Sequence, residues 1–297
     1  MSWSSPFQQS GHWFKGNLHT HTTQSDGVLT PDQALSWYRS RGYDFVALSD
    51  HWYFTQGVHY DADFVTISAA EVQGSRYHLL TLGLKQLPPR EWAEEPQRII
   101  DSLKAQDALC YIAHPYWTGR PSTEICALEH LDGIEVFNAV CEASKGTGHA
   151  RVHWDDCLSA GRRLTGLAVD DSHWHNDWQG IGYVMVRAQS LTETDLLSAL
   201  AAGHFYSSTG PVIEDLRIVR PTGRQPELAV RCSPCEEIVF YTAGPRGQRI
   251  VAGPAEVLTH ASLPLRFDQV FVRVECRSGT TGCAWSNPLY VSDVLGA

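Results

Sequence analysis

The sequence contains no cluster of lysine and arginine and no long apolar run. Its 297 residues include 23 Lys and Arg against 33 Asp and Glu, a formal net charge of −10. Such a chain cannot neutralise a long track of phosphates, so extended duplex nucleic acid is excluded as a partner. No segment reaches the roughly 20 apolar residues of a membrane span. The first residues also lack a basic stretch followed by an apolar one, and we therefore expect a cytoplasmic protein without a membrane segment.

The eight cysteines do not form the pattern of a small disulfide-stabilised protein. The chain is long enough to stabilise itself by burial, so we expect reduced thiols. Cys232 and Cys235 have the C-x-x-C spacing of a redox or zinc half-site. A second C-x-x-C and the βαβ context of a thioredoxin are missing, and we interpret this pair as two buried or loop thiols.

The composition is that of a globular protein, with 43% hydrophobic and 19% charged residues. From Gly16 to about Ser190, short apolar runs alternate with helical patterns, which predicts an α/β architecture with parallel strands. Polar residues fall repeatedly at the ends of these runs, as at the active-site face of a (β/α) barrel. Candidate strands end at His21, Ser49–His51, Glu71, Gly83, His114, Asn138, Asp170 and Val186.

Helices are predicted between these strands. Thr30, Pro31 and Gln33 form a helix-start signature, and Gly42 can end that helix. Further helical patterns cover 98–105, 152–160 and 192–203. After residue 210 only short strands separated by Gly, Pro and Asn turns are predicted. We therefore place a barrel domain at 1–210 and a small, sandwich-like all-β domain at 211–297.

Histidines and acids at strand ends are what a metal-dependent hydrolase requires. His19 and His21 lie two residues apart, so both reach one ion only if the strand end bends; solvent-facing loop histidines are the alternative. Glu71 ends an apolar strand, where an unpaired carboxylate is costly to bury. A salt bridge to Arg76 or a bridging position between two cations would each satisfy it. His78, taken alone, also fits a core histidine.

Four segments in this order resemble the motifs of the PHP (polymerase and histidinol phosphatase) superfamily over about residues 16–210. They are Gly16 to Gly27 (GNLHTHTTQSDG), Ala47 to His51 (ALSDH), Ile112 to Pro115 (IAHP) and Val169 to His173 (VDDSH). Many members have GSDxH where the last motif stands here. The resemblance implies a distorted (β/α)7 barrel, and Glu71 and His78 lie between the second and third motifs.

By the same resemblance, nine residues would hold three metal ions. His19, His21, Glu71 and Asp171 would bind the first ion, and Glu71 would bridge to a second ion held by His78 and His114. Asp26, His51 and His173 would bind the third. A metal-activated hydroxide would then attack an ester, with Asp171 and His173 nearby. Two or three divalent ions are expected, and manganese, iron and zinc all suit these ligands.

The segment Gly203 to Pro211 and the tail ending near Pro288 resemble the CehA/McbA group of carbaryl hydrolases. The superfamily is dominated by phosphoesterases, whereas that group's namesake cleaves a carbamate. We therefore expect a phosphoesterase acting on a small phosphorylated metabolite or nucleotide. A carboxylic or carbamic ester hydrolase on the same metals is the alternative, and a non-catalytic metal-binding module is a third possibility.

Residues beyond the motifs are harder to place. Asp50 and Asp170 fit a role in orienting the imidazoles, and Asp50 equally fits a strand-end cap. A set of basic and imidazole side chains could contact the substrate or donate a proton, although a surface position is the simpler interpretation for each of them. This set comprises Arg76, Arg120, Lys145, His149, His153 and His175. The oligomeric state is not predicted by the sequence.

Overall fold

A computed structural model describes residues 3–61 and 63–296. The α-helices of this part are α1 Pro31–Arg39, α2 Pro96–Lys104, α3 Ser122–Ala127, α4 Ala139–Lys145, α5 Arg151–Ser159, α6 Glu193–Ala201 and α7 Ser292–Leu295. The first eleven strands are β1 His12–Asn17, β2 Phe45–Ala47, β3 His59–Asp61, β4 Phe64–Ile67, β5 Ala69–Gln73, β6 His78–Leu82, β7 Leu109–Ile112, β8 Gly133–Asn138, β9 Thr165–Val169, β10 Tyr183–Ala188 and β11 Phe205–Ser208. The remaining strands are β12 Ile213–Val219, β13 Glu227–Cys235, β14 Glu237–Thr242, β15 Gln248–Val251, β16 Leu258–Pro264, β17 Phe271–Ser278, β18 Gly282–Ser286 and β19 Leu289–Tyr290.

Local sequence explains where the predicted helices begin. The Thr30 hydroxyl accepts a hydrogen bond from the Gln33 backbone N–H, and the Gln33 side chain accepts one from the Thr30 N–H, which is a complete capping box. Thr192 likewise caps α6. Both helix starts were predicted from the sequence. The three short helices α3, α4 and α7 were not, because fewer than eight residues show too little periodicity, and α7 lies in the part for which only strands were predicted.

The strands of the first two thirds of the chain lie in two sheets. One has the order β10, β1, β2, β4, β3, and the other has the order β5, β6, β7, β8, β9. The pairs β1–β2, β2–β4, β7–β8 and β8–β9 are parallel, whereas β1–β10, β5–β6 and β6–β7 are antiparallel. The fold is thus mixed α/β rather than uniformly parallel as predicted.

Isolated backbone bridges join the two sheets at the segments that follow the strands. Thr20 pairs with Ser172 beyond the ends of β1 and β9, and His51 pairs with Glu71 where the chain beyond β2 meets β5. Glu71 lies in the middle of β5 and does not end the preceding strand as predicted. These two bridges bring the predicted ligands of both sheets to one end of the fold.

The carboxyl-terminal strands continue the first sheet. β11 pairs with β18, which leads through β17 and β14 to β15. A separate three-stranded sheet, β12, β13 and β16, packs on these strands through apolar residues such as Leu228, Val230 and Phe240. Hydrogen bonds between strands therefore cross the boundary that we predicted at residue 210.

Apolar side chains fill each layer. Ile99, Leu103 and Trp154 of α2 and α5 pack on the outer face of the five-stranded sheet. Leu80 and Val184 belong to a second core that lies between the two sheets. None of the helices in the described part is long and apolar enough to cross a membrane.

The cysteines differ in part from the expectation. Cys126 and Cys157 form a disulfide between α3 and α5, so the prediction of uniformly reduced thiols is wrong at this pair. Their Cα atoms lie 5.2 Å apart, within reach of a disulfide, and helix packing that the sequence does not show sets this distance. Cys232 and Cys235 are buried free thiols with sulfurs 3.7 Å apart.

Candidate metal centre

The nine predicted ligands gather at the end of the fold where the two sheets meet. His19 and His21 follow β1, with Asp26 in the loop after them, and His51 follows β2. The remaining ligands come from β5, from β6, and from the chain after β7 and after β9; they are Glu71, His78, His114, Asp171 and His173. Because β1 ends at Asn17, His19 and His21 lie beyond the regular strand and are free to face one centre.

Glu71 is buried at the middle of the cluster, and its two oxygens face different histidines. Oε1 lies 2.8 Å from His78 Nδ1 and 3.2 Å from His114 Nε2. Oε2 lies 3.4 Å from His19 Nε2 and 3.3 Å from His21 Nε2. This is the arrangement expected of a carboxylate that bridges two cations.

Asp171 completes the group around the first two histidines. Its Oδ1 lies 3.2 Å from His19 Nε2 and 3.1 Å from His21 Nε2. The backbone φ is +58° at Asp171 and +27° at His114, a region that residues other than glycine rarely adopt. Strain of this kind persists where the surrounding structure enforces a functional geometry.

A third group lies nearer the surface. Asp26 Oδ2 is 3.4 Å from His173 Nε2 and 3.6 Å from His51 Nε2, and its other oxygen is 3.5 Å from His21 Nδ1. The Asp26 side chain is 54% exposed. This group therefore faces the opening of the site, whereas Glu71 and Asp171 lie at its floor.

The donor atoms fit divalent cations. Ligand atoms within 4.8 Å of one another form four overlapping groups: His21, Asp26, His51 and His173; His19, Glu71 and His114; His19, His21 and Asp171; and His51, Glu71 and His78. Glu71 Oε2 and Asp171 Oδ1 are buried and accept no hydrogen bond from the described residues. A buried carboxylate oxygen without a donor is costly unless a cation meets it.

The electrostatics of the cluster point the same way. Burial by itself would lower the pKa of His21, but Asp171 and Glu71 outweigh it and raise that pKa to about 9. Burial would raise the pKa of Glu71, but His19 and His78 hold it well below its usual range. The site thus keeps its carboxylates ionised beside imidazoles, and ionised carboxylates are what a cation-binding centre requires.

Sequence reasoning missed a buried carboxylate behind the ligands. Glu135 of β8 is fully buried; its Oε1 is 2.6 Å from His19 Nδ1, and its Oε2 accepts the His114 backbone N–H at 2.8 Å. The Asn138 side chain donates to both Glu135 and Asp171. Carboxylates in this position fix the orientation of metal-binding imidazoles. The available signal was a glutamate inside the apolar run of β8.

Asp50 and Asp170 hold the loops that carry or enclose the ligands. Asp50 accepts hydrogen bonds from the Thr22 N–H and hydroxyl and from the Ser25 hydroxyl, which fixes the loop between His21 and Asp26. Asp170 accepts the backbone N–H groups of residues 180–182. Burial raises the pKa of Asp170 to about 6. Both residues thus act on backbone segments rather than on imidazole rings.

A cavity of about 330 Å³ opens above the cluster. This volume suits a small molecule. Ligands form its floor, and the walls come from Trp117, from α4 and from the loop after β9. The wall residues are Trp117, Val140, Cys141, Ser144, Lys145, Trp174, His175, Asn176, Trp178 and Gln179.

The predicted substrate contacts divide into two sets. Lys145 and His175 line the cavity. Arg76 and Arg120 are not among its lining residues, and both pair with Glu124, at 3.5 and 2.5 Å.

His149 and His153 also lie away from the cavity. His149 packs 5.0 Å from the Phe137 ring and lines a different cavity, and the His153 ring is 6.1 Å from Tyr116. Burial lowers the pKa of both imidazoles. Of the predicted contacts, only Lys145 and His175 are placed to meet a molecule above the cluster.

No protein-family model matches the sequence, and no curated protein matches it significantly. The structure is similar to a two-domain protein containing a predicted PHP-like metal-dependent phosphoesterase from Bacteroides vulgatus. The identity is 14%, the match covers 94% of this chain and 95% of that one, and the TM-score is 0.50. The chain therefore has a PHP-like fold over nearly its whole length.

Two other solved structures match about half of this chain. One is a candidate metal-dependent phosphoesterase from Bifidobacterium adolescentis, with 14% identity, 56% of this chain and 91% of that one covered, and a TM-score of 0.39. The other is an amidohydrolase from Chromobacterium violaceum with bound sulfate and no metal, with 16% identity, 53% and 87% covered, and a TM-score of 0.34. The fold assignment depends on the Bacteroides protein alone.

Proposed function

We propose that this chain is a metal-dependent hydrolase that cleaves a phosphoester of a small molecule. The observation that carries the proposal is the position of Glu71, whose two buried oxygens face separate sets of imidazoles: Oε1 faces His78 and His114, and Oε2 faces His19, His21 and, at 2.8 Å, His51. Its ion-pair partners are all histidines, and no lysine or arginine of residues 3–61 and 63–296 pairs with it. The PHP-like fold of the Bacteroides protein supports the same reaction class.

Two or three divalent ions would be held by the nine ligands. The first ion would take His19, His21 and Asp171, and the second would take His78 and His114, with Glu71 between them. The third would take Asp26, His51 and His173. Bound ions of this kind acidify water and neutralise charge that develops on an ester oxygen. We further propose that the ions are manganese, iron or zinc. We also propose that the strands around the site form a distorted (β/α)7 barrel.

The chain's own residues supply orientation and enclosure. Glu135 holds the His19 ring and the backbone of His114, and Asn138 ties Glu135 to Asp171. Trp174 donates its indole N–H to the His21 carbonyl, which fixes one wall against the cluster. Rigid support of this type keeps ligands in place as substrate enters.

Carboxylic or carbamic ester hydrolysis is the second candidate. Lys145 is the only lysine or arginine among the described residues that line the cavity, and the walls are rich in indole rings. Such walls suit an uncharged ester better than a highly charged one. The predicted likeness to the CehA/McbA group agrees with this candidate, and both it and a cytoplasmic location remain predictions from the sequence.

The decisive experiment is a hydrolysis screen of the manganese-loaded and the chelated protein. The substrates are phosphomonoesters, phosphodiesters and aryl carboxylic or carbamic esters. We expect metal-dependent cleavage of phosphoesters. Activity confined to the carboxylic and carbamic esters would select the second candidate, and activity that survives complete metal removal would contradict both.

Glu71→Gln tests the bridging carboxylate in the same assay. Removing its charge should reduce hydrolysis at least 100-fold, about 2.7 kcal/mol of transition-state stabilisation. Glu129→Gln is the matched control, because the Glu129 side chain is 61% exposed and pairs with Arg162. Unchanged hydrolysis by Glu71→Gln would remove Glu71 from the mechanism.

A further inference from the structure

The Cys232 and Cys235 thiols lie in a bulge of β13. The chain advances four residues between Arg231 and Cys235, whereas the facing segment of β16 advances only two. In a regular strand, side chains three positions apart point to opposite faces of the sheet. The extra residues of the bulge instead bring the two sulfurs together, 3.7 Å apart.

Hydrogen bonds hold this bulge in place. The Ser233 N–H donates to the Val212 carbonyl at 2.9 Å, and the Ser233 hydroxyl accepts the Val212 N–H at 3.0 Å. The sulfur of Cys235 lies 3.4 Å from the Glu237 carbonyl and 3.5 Å from the Leu258 carbonyl. The short distance between the sulfurs is therefore a property of the folded chain.

Burial limits which reagents can reach the pair. Cys232 is 2% exposed and Cys235 1% exposed, and both belong to the apolar core of the carboxyl-terminal strands, together with Val230 and Phe240. A protein disulfide or glutathione disulfide is too large to enter such a core, which excludes the exchange reaction of a thioredoxin-like oxidoreductase. A reagent for these thiols has to be about as small as hydrogen peroxide.

The pair also differs from Cys110, a buried cysteine of β7. Burial raises the pKa of the Cys110 thiol, which keeps it protonated and unreactive. At the pair, the hydrogen bond from Cys232 lowers the pKa of the Cys235 thiol, and the same contact raises the pKa of Cys232. Cys235 is thus the thiol that ionises to the nucleophilic thiolate, and Cys232 keeps its proton.

A third thiol, Cys276 of β17, lies next to the pair and is fully buried. Hydrogen bonds with Cys232 and Cys235 raise its pKa well above the usual range, so Cys276 stays protonated. The 3.7 Å contact joins Cys232 to Cys235. Oxidation should therefore link these two sulfurs and leave Cys276 as a thiol.

We propose that Cys232 and Cys235 are a reversible redox-modification site, which a peroxide oxidises to a disulfide. The Cys235 thiolate attacks one peroxide oxygen, the O–O bond breaks, and the departing hydroxide takes up the proton that Cys235 released, which leaves a sulfenic acid. The Cys232 sulfur then attacks the sulfenic sulfur, the S–O bond breaks, and water leaves with the Cys232 proton. The two sulfurs lose two electrons, and the peroxide becomes two molecules of water.

This inference does not depend on the proposed function. Neither cysteine lines the cavity above the metal centre, and neither is among the nine proposed ligands. The oxidation can therefore be measured on chelated protein, in which bound metal cannot react with peroxide.

Peptide mapping of the wild-type protein tests the proposal. Trypsin cleavage after Arg231 and Arg246 releases a peptide whose only cysteines are Cys232 and Cys235. The folded, chelated protein is treated with hydrogen peroxide, then unfolded and alkylated with iodoacetamide. We expect this peptide to lose two hydrogen atoms and to carry no alkyl group, and dithiothreitol should restore both alkylation sites. Oxidation of Cys110 should be at least tenfold slower.

Single variants separate the roles of the two thiols. Cys232→Ala leaves Cys235 without the second thiol, so oxidation should stop at a sulfenic acid that dimedone traps. Cys235→Ala should slow oxidation of Cys232 at least tenfold. Cys276→Ala is the matched control, since it removes a neighbouring buried thiol and should leave the disulfide unchanged.

The wild-type map decides the question even where a variant does not fold. A peptide that keeps both alkylation sites after peroxide, a sulfinic acid that dithiothreitol does not reverse, or a disulfide to Cys276 would each overturn the proposal. The preference over Cys110 should disappear when peroxide is added to urea-unfolded protein. If it persists there, the bulge is not its cause and the proposal is wrong.

Discussion

The molecule buries two groups of charged side chains, and they differ in how completely the charges are paired. Around Arg273, the guanidinium donates two hydrogen bonds of 2.6 Å to Asp155 and one of 2.6 Å to Glu275. Arg277 donates to the other oxygen of Glu275. No buried polar atom of Arg273, Asp155 or Glu275 lacks a hydrogen-bond partner.

The metal centre has the opposite character. Glu71 and Asp171 each keep a buried oxygen that accepts no hydrogen bond from the described residues, and the group opens into a cavity. Both clusters consist of buried charged groups, so burial of charge alone does not separate them. Completed hydrogen bonding indicates a structural role, whereas incomplete pairing at a cavity floor is typical of a position that can bind a cation.

The largest expected effect is on stability at the paired cluster. Arg273→Met leaves Asp155 and Glu275 without their main partner, and it should lower the free energy of unfolding by about 3–5 kcal/mol. Arg246→Met is the control, because Arg246 and Asp268 form a half-exposed pair at 2.8 Å whose loss should cost less than about 1 kcal/mol. Urea unfolding measures both. Equal costs would remove the distinction between a buried network and a surface pair.

Removing divalent ions should affect only the incompletely paired cluster. An ion that binds the folded state stabilises it by about 2.7 kcal/mol when present at 100 times its Kd. We therefore expect chelation to lower the melting temperature of the wild type by several degrees, measured by calorimetry. Arg273→Met should show the same shift and Glu71→Gln a smaller one. If chelation leaves the melting temperature of the wild type unchanged, the proposed metal centre is contradicted.

Glu135 shares features of both clusters. Its oxygens have hydrogen-bond partners, as in the Arg273 cluster, but it contacts the residues of the metal centre. Glu135→Gln should weaken binding of manganese alone about 10- to 100-fold, because the His19 ring loses the acceptor that orients it. Titration calorimetry gives the affinity. The exposed Glu129→Gln variant should bind as the wild type does. If Glu135→Gln binds equally well, His19 is oriented by other contacts.

The smallest expected effect is on the pH dependence of stability, and it comes from His204, an imidazole with no carboxylate beside it. Burial lowers the pKa of His204, whereas carboxylates raise that of His19. An imidazole with a lowered folded-state pKa contributes stability that is lost as the pH falls through its unfolded value of about 6.5. His204→Gln should therefore weaken the loss of stability between pH 7.5 and 5, measured by urea unfolding. His12→Gln, at an exposed histidine, should leave that pH dependence unchanged.

Much of the site was visible in the sequence. The four motifs, together with Glu71 and His78 between them, named the nine histidines and acids that the structure brings to one centre, because most of them stand at or near the end of an apolar run. Glu135 was overlooked for the opposite reason: it lies within such a run, and only burial next to His19 shows its role. The substrate contacts were nominated by residue type, which says nothing about the direction of a side chain.

The sequence by itself determined the apolar strands, the capped starts of α1 and α6, and the identity of the clustered acids and imidazoles. These features are local, since a capping box or a strand-end motif spans only a few residues. Tertiary structure decided that the sheets are mixed, that β11 pairs with β18, and that Cys126 meets Cys157. It also decided which buried charges are paired and which face a cavity. Those outcomes depend on contacts between residues far apart in the chain, and a local pattern carries no record of them.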